Sequence, residues 1–371
     1  MKNLVFLCML FPGLVFAQQT THTFSFDGQT RQYIKYVPSS YTGSEAVPVV
    51  FSLHGLGDNM SNFSQVGFHQ VADTANIIII TPEALPETIL TGGANAWNSG
   101  AGSFGLSLNG NINDIGFLGA ILDTIIANYN VDETRVYSCG FSLGGFMSQR
   151  IACELNTRFT AVASVAGTIG GELTCSPGAS VPVCHFHGTA DATIAYSGNI
   201  YGSDPEDLVD FWATNNGCTA TPTTTALPDN ASDGYTVTHY EYGSCTDEAG
   251  VEFFKVTGAD HVWLFTPVND ISYTEEIWKF FLKYPTAPDT SISTSANITT
   301  KPTINIHPNP ASGSISITGI TGVKYIFNGA GKLLLTTNEN TLNVSTYPTG
   351  LYFLQIRDSN GKLFTRKWVK E

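Results

Sequence analysis

Five residues, Gly140-Phe141-Ser142-Leu143-Gly144, constrain this chain more than any other stretch. An apolar run ending at Cys139 precedes them, and a helical pattern follows from Gly145 to about Leu155. A serine held in a tight strand-to-helix turn has strained backbone, so its neighbours must be small. Gly140 and Gly144 let the chain fold back closely on itself, which pushes the Ser142 hydroxyl out above a sheet edge. The first N–H groups of the following helix point at the spot where an oxyanion would form. The bare pattern also suits an ordinary glycine-rich turn. The strand before it and the helix after it favour the reading of Ser142 as a nucleophile.

Around this turn the chain alternates strands with helices. Residues 21–26 and 31–36 read as a hairpin turned at Asp27-Gly28, and 47–53 and 76–80 as buried strands. A helix is expected from Asn113 to about Tyr129, because Ile115, Leu118, Ile121, Leu122 and Ile125 recur at helical spacing. Strands at 135–139, 161–166, 181–187, 235–242 and 251–256 and helices at 205–215 and 273–283 complete the pattern. This predicts an α/β fold with a mostly parallel sheet covered on both faces. The site of such a sheet lies beyond the carboxyl ends of its strands, where Ser142 falls.

A serine hydroxyl needs a base to take its proton, and the base needs an acid to orient it. On an open α/β sheet these follow in the order Ser, Asp/Glu, His. Of the histidines after Ser142, His185 and His187 alternate inside a strand and read as structural, and His239 is mid-strand. His307 lies past the domain boundary argued below. His261 directly follows the last strand and is the best-placed base. Asp191 follows the strand that ends at His187 and is the preferred acid; Asp260 is its rival, but adjacent side chains on an extended segment point apart. The backbone N–H groups of Leu56, in the glycine-rich loop after 47–53, and of Leu143 are the oxyanion candidates. The His54 side chain reads as a fastener of that loop.

Residues 1–17 have one positive charge, an apolar run and a small-residue cleavage site at Val15-Phe16-Ala17, the pattern of a secretory signal peptide. No other stretch is long and apolar enough to span a bilayer, so an exported protein without stable membrane insertion is expected. Six of the seven cysteines follow the leader, an even number that suits disulfides. Cys218 and Cys245 occupy polar loop contexts where a staple is useful, whereas Cys139 and Cys184 fall inside apolar strands and read as buried thiols. Residues 301–371 hold eight Lys/Arg against three Asp/Glu, leaving nine against 28 in the first 300. The acidic body argues against nucleic acid as a partner, and the change of sign suggests two domains.

The motifs Arg31-Gln32-Tyr33, Tyr36-Val37-Pro38, Leu53-His54-Gly55, Ala96-Trp97-Asn98, Asp114-Ile115-Gly116-Phe117, Arg135-Val136-Tyr137, Gly140 to Gly145, His187-Gly188-Thr189-Ala190-Asp191, Asn216-Gly217-Cys218 and His261-Val262-Trp263 belong together. Over residues 22–285 the chain resembles the secreted α/β-hydrolase esterases that include polyhydroxybutyrate depolymerases and the feruloyl and acetylxylan esterases of carbohydrate esterase family 1. The resemblance implies Ser142 as nucleophile, Asp191 as acid and His261 as base, with no metal or cofactor. It implies Cys218–Cys245 and Cys153–Cys175 bridges. The implied substrate is a polymer-linked ester, feruloyl or acetyl on plant polysaccharide, with a polyhydroxyalkanoate or other polyester as the alternative. Trp97 and Trp263 could wall a substrate groove or pack as core or rim residues. A non-catalytic binding protein on the same scaffold is the alternative from another class; the presence of all three triad candidates speaks against it. Asp260 before His261 and Leu264 after Trp263 depart from the glycine pair and proline common in that family, so a different pocket-shaping loop is expected here.

The esterase-like domain is read as 20–285. Residues 286–303 are rich in Ser, Thr and Pro, a linker composition. Residues 304–371 show short alternating strands separated by turns such as Asn328-Gly329 and Asn360-Gly361, a small β-sandwich. His307-Pro308-Asn309-Pro310-Ala311, Gly350-Leu351-Tyr352 and the basic end around Arg366-Lys367-Trp368 are similar to the type A sorting domain of the type IX secretion system of Bacteroidetes. The resemblance implies the secretion machinery as a partner and an extracellular or cell-surface destination. A carbohydrate-binding sandwich is the alternative.

Overall fold

In a computed structural model of the chain the described residues are 17–103, 105–284, 304–328, 333–357 and 363–371. The leader up to residue 16, the linker 286–303 and the turn residues Gly329, Asn360 and Gly361 lie outside them. The chain divides into two compact units, Met1–Thr290 and Ser291–Glu371.

The first unit opens with a hairpin of β1 (Gln18–Phe26) and β2 (Gln29–Val37), longer at each end than the alternation suggests. β3 (Val47–Leu53) is buried along its whole length. Two helices that the sequence reading lacked follow, α1 (Met60–Phe63) and α2 (Phe68–Ala75). Asn76 then closes α2 in the left-handed conformation, with φ 53°, instead of opening the next strand, a role asparagine fills readily at helix ends. β4 therefore starts two residues later (Ile78–Pro82). Two small hairpins come next, β5 (Leu85–Glu87) with β6 (Ala94–Ala96) and β7 (Gly102–Ser103) with β8 (Leu106–Ser107).

The helix α3 (Asp114–Asn128) is capped by the Asn113 side chain, which accepts from the Gly116 N–H. β9 (Val131–Phe141) leads into α4 (Leu143–Glu154), followed by β10 (Ala161–Val165) and β11 (Val183–Gly188). The 181–187 strand of the sequence reading starts later because Pro182 has no N–H to give to a ladder. α5 (Pro205–Asn215) begins where the Asp204 side chain accepts from Asp207, with proline in the first turn. β12 (Thr223–Ala226), β13 (Thr236–Tyr242), β14 (Val251–Thr257) and α6 (Tyr273–Phe281) complete the unit.

Ten of these fourteen strands form one sheet in the order β1-β2-β4-β3-β9-β10-β11-β14-β13-β12. The six inner strands from β4 to β14 are parallel, and two antiparallel strands extend each edge. Alternation along the buried strands feeds two cores. Val49, Phe51 and Leu53 face the core that contains Leu118, Ile121 and Ile125 of α3, Ile151 of α4 and Trp212 of α5. Val50, with Ile79 of β4, faces the core that contains Phe68 of α2 and Ile277 and Phe281 of α6. Helices thus cover both faces, and the carboxyl ends of the parallel strands share one edge.

A buried ion pair ties the hairpin to the site. Arg31 donates to Asp114 at 2.6 Å, with both side chains at most 1% exposed, and its guanidinium lies 3.7 Å from the Phe117 ring centre. The other Asp114 oxygen accepts from the Asn98 N–H at 2.7 Å, and the Asn98 carbonyl accepts from Arg150 of α4 at 2.6 Å. Arg31→Met would leave the Asp114 charge buried without its partner, so about 3–5 kcal/mol of stability should be lost. Urea unfolding followed by tryptophan fluorescence measures this. A loss below about 1 kcal/mol would mean that Asp114 finds other compensation.

Cys153 bonds Cys175, and Cys218 bonds Cys245; Cys139 and Cys184 are free and buried on the α6 side of the sheet. Among the described residues no helix is long and apolar enough to cross a membrane. The second unit has two antiparallel sheets, β15 (Asn305–His307), β16 (Ser314–Thr318) and β19 (Thr341–Asn343) in one, and β17 (Val323–Asn328), β18 (Leu333–Thr337), β20 (Gly350–Arg357) and β21 (Leu363–Lys370) in the other. Both contribute to a single core that includes Ile315, Ile326, Leu354, Ile356 and Trp368.

Candidate active site

The β9–α4 turn explains its glycines by direct contact. A Cβ on Gly140 would sit 2.3 Å from the Gly144 carbonyl carbon, and one on Gly144 would sit 2.0 Å from the Leu53 carbonyl oxygen. Neither contact can be relieved, because both partners are backbone. Between them Ser142 has φ 53° and ψ −120°, a conformation L residues rarely adopt. Its N–H donates to the Val165 carbonyl at 2.8 Å, so the sheet holds the strained residue in place. The helix starts at Leu143, directly after the serine, rather than at Gly145. The Leu143 N–H therefore belongs to the open first turn, where four N–H groups have no partner within the helix.

His261 comes from the loop after β14, and Asp191 from the turn after β11. His261 Nδ1 lies 2.7 Å from Asp191 Oδ2. The other Asp191 oxygen accepts the N–H groups of Thr193 and Ile194, each at 2.8 Å. Burial pushes the Asp191 carboxyl up; the His261 hydrogen bond and charge, with the Ile194 N–H, outweigh it and hold the group below the usual carboxylate range. Asp260 does not compete: its Oδ1 accepts from the Ala192 N–H at 3.2 Å and from the His261 N–H at 2.8 Å, so it braces the two loops against each other.

Ser142 and His261 line one cavity of about 310 Å³, together with Gly55, Leu56, Leu143, Phe146 and Ile194. Its walls are mainly apolar, and Asp58 brings a carboxylate to them. Leu56 follows Gly55, whose added Cβ would lie 3.3 Å from that of Ser142. Leu56 and Leu143, the two oxyanion candidates, both line the cavity that holds Ser142. His54 anchors the loop as the sequence suggests: Nε2 accepts from the Ala84 N–H at 3.1 Å, so Nδ1 carries the proton and donates to the Gly55 carbonyl at 2.8 Å. Burial holds its imidazole below the usual histidine range, which suits a neutral ring.

The tryptophans need correction. Trp97 has no exposed surface, and its Nε1–H donates to the His54 carbonyl at 2.9 Å. It supports the Leu56 loop from beneath and offers no wall to a substrate. Trp263 packs edge-on against Phe63, Phe141 and Tyr273 and does not reach the cavity; Phe141 stands between it and His261. Conversely, His187 has a neighbour that the sequence reading did not assign: its Nε2 lies 3.5 Å from Asp191 Oδ2. The spacing of four residues across a strand end gave a signal, since both side chains can turn toward the same loop.

One cluster among the described residues has metal-ligating composition, His239, Glu241 and Glu252. Its charges are already met by Lys283, which bonds Glu252 at 2.7 Å and Glu241 at 3.0 Å. Glu252 lies near the start of β14, whereas His261 follows its end, so the cluster is remote from Ser142.

Comparison with known proteins agrees with this architecture. Residues 26–216 match the family model described as "Putative esterase", and residues 305–371 match "Secretion system C-terminal sorting domain". The chain is 25% identical over 247 residues to feruloyl esterase B of Piromyces equi, a match covering 62% of this chain and 42% of that protein. It is 27% identical over 259 residues to feruloyl esterase C of Emericella nidulans, covering 68% of this chain and 84% of the relative. Among solved structures, an S-formylglutathione hydrolase from Agrobacterium tumefaciens superposes with a TM-score of 0.51 at 15% identity, over 73% of this chain and 96% of its own. That likeness bears on the fold, an α/β-hydrolase. The C-terminal unit is a secretion sorting domain and directs the protein to the cell surface or beyond. With more than half of its length inside the first model, the chain belongs to the esterase family of serine hydrolases.

Proposed function

We propose that the chain is a secreted carboxylic-ester hydrolase in which Ser142 is the nucleophile, His261 the base and Asp191 the orienting acid. The observation that carries this is the 2.7 Å contact of His261 Nδ1 with Asp191, made by a histidine whose ring shares a cavity with a serine at φ 53°. Bonding at Nδ1 leaves Nε2 free to take the Ser142 proton as Oγ attacks the ester carbonyl. The tetrahedral oxyanion is held by the Leu56 and Leu143 N–H groups. The imidazolium then protonates the departing alcohol, and water attacks the acyl-enzyme by the reverse proton path.

For the substrate, feruloyl or acetyl esters of plant polysaccharide are the first reading. The feruloyl esterases among the relatives support it, as does an apolar cavity of about 310 Å³ next to Ser142. Polyester hydrolysis is the second reading. It is favoured by the open apolar rim, where Leu56 and Tyr201 line the cavity while 46% and 38% exposed. The purified protein should release ferulate from methyl ferulate, or acetate from acetylated xylan, faster than it clears an amorphous polyhydroxybutyrate film. Film clearing without release of either acid would reverse the order.

A further inference from the structure

Behind Asp191 runs a buried polar chain that the hydrolytic steps do not use. Trp212 Nε1 donates to Gln149 Oε1 at 2.7 Å, and Gln149 Nε2 lies 2.7 Å from Ser164 Oγ. Ser164 Oγ is 2.7 Å from His185 Nδ1, His185 Nε2 is 3.1 Å from His187 Nδ1, and His187 Nε2 is 2.7 Å from the Ile194 carbonyl. Trp212, Gln149, Ser164 and His185 are wholly buried, and His187 is 1% exposed.

The chemistry gives this chain one direction. An indole N–H can only donate, so Gln149 accepts with its oxygen and donates with its amide nitrogen. Ser164 accepts that bond; because the Ile194 carbonyl at the far end of the chain can only accept, both rings donate toward it, and Ser164 turns its own proton to His185 Nδ1. His185 must then carry its proton on Nε2 and donate to His187 Nδ1. His187 in turn carries its proton on Nε2, where it meets the Ile194 carbonyl, an acceptor only. Both rings are neutral in this arrangement. Burial agrees, holding His185 and His187 below the usual histidine range, with each ring's other neighbours as smaller influences. The remaining groups facing His187 are Asp191, His261 and the Tyr196 ring, edge-on at 5.8 Å.

We propose that His187 is a positioning residue, whose Nε2–H holds the Ile194 carbonyl and so locks the 191–194 turn that presents Asp191 to His261. Ile194 is pinned from both sides: its N–H is bound by Asp191 Oδ1 and its carbonyl by His187. Ile194 also lines the cavity, so the same bond sets part of the pocket wall. The chain of donors is anchored in α4 and α5 through Gln149 and Trp212, both packed in the core. This inference rests on the reading of Ser142, His261 and Asp191 as the catalytic triad.

Two polar substitutions separate the ends of the ring. His187→Gln places an amide donor near the Nε2 position and should keep turnover within a few-fold of the parent. His187→Asn can accept from His185 but is too short to reach the Ile194 carbonyl. It should lower kcat on p-nitrophenyl acetate by roughly ten- to a hundredfold, with KM within about twofold. It should also shift the acid limb of kcat/KM to lower pH, because an imidazolium at His261 would lose support from a displaced carboxylate. A purely structural histidine would change melting temperature without moving that limb. Equal kcat and an unmoved acid limb in both folded variants, while Ser142→Ala stays inactive, would overturn the proposal. An active Ser142→Ala would overturn the triad reading and this inference with it. Should the Asn variant not fold, nitrogen-15 NMR of the unaltered protein decides. His185 and His187 should each be neutral at neutral pH with the proton on Nε2; a proton on His187 Nδ1 would overturn the proposal.

Discussion

Ser142→Ala should lower ester hydrolysis by roughly three to six orders of magnitude, with the fold unchanged. Removing one oxygen from a residue whose backbone is held by its N–H bond to Val165 leaves that bond and the flanking Gly140 and Gly144 contacts in place. What disappears is the atom that, in the proposed mechanism, would form the acyl-enzyme. His261→Ala should cost a similar factor, and the double variant should be no worse than either single one, because a nucleophile and its base act as one device. Initial rates on p-nitrophenyl acetate, with circular dichroism as the check on folding, measure both. Wild-type turnover by Ser142→Ala would remove the mechanism. Full additivity of the two losses would mean that His261 acts elsewhere.

Removing everything after Pro285 should leave ester hydrolysis in place and stop release of the protein from a host with the sorting machinery. Ser142, Asp191 and His261 all belong to the first unit, and both cores of that unit are built from residues before 285. The second unit has a core of its own, and residues 305–371 match a secretion sorting domain. Active enzyme should therefore accumulate in the periplasm while the medium loses activity. Assaying the two fractions separately on a small ester makes the comparison. If the tail were instead a carbohydrate-binding module, export would be normal and only activity on insoluble polymer would fall. Loss of activity in both fractions, with folded truncated protein present, would place the tail within the catalytic unit.

Much of the site was legible because its signals are local. Gly140 and Gly144 are required by contacts within one turn and with the strand beside it, and that steric demand is written in five consecutive residues. The order Ser142, Asp191, His261 follows from which strands end at the same sheet edge, and strand ends can be read from apolar runs. The start of α3 was legible for the same reason: Asn113 caps it with its own side chain, a bond made within three residues. Errors arose where a local signal had two uses. Asn76 sits beside four isoleucine residues and reads as strand, yet its tolerance of positive φ makes it the end of α2. Trp97 carries the same apolar surface whether it faces substrate or core; its neighbour, the His54 carbonyl 43 residues away, decided for the core.

The sequence by itself thus determined the strained serine turn, the alternating α/β pattern and the charge boundary between two domains, because each depends on neighbours in the chain. Only the tertiary structure decided which distant groups meet. Arg31 and Asp114, 83 residues apart, become a buried ion pair because the edge hairpin folds over the start of α3. His185 and His187 look like two polar interruptions of an apolar strand. They become a directed hydrogen-bond chain because β10, α4 and α5 bring Ser164, Gln149 and Trp212 to the same face of the sheet. The physical reason is common to both cases. A buried polar group must find a partner, but the sequence does not say which of many polar residues the packing will carry to it.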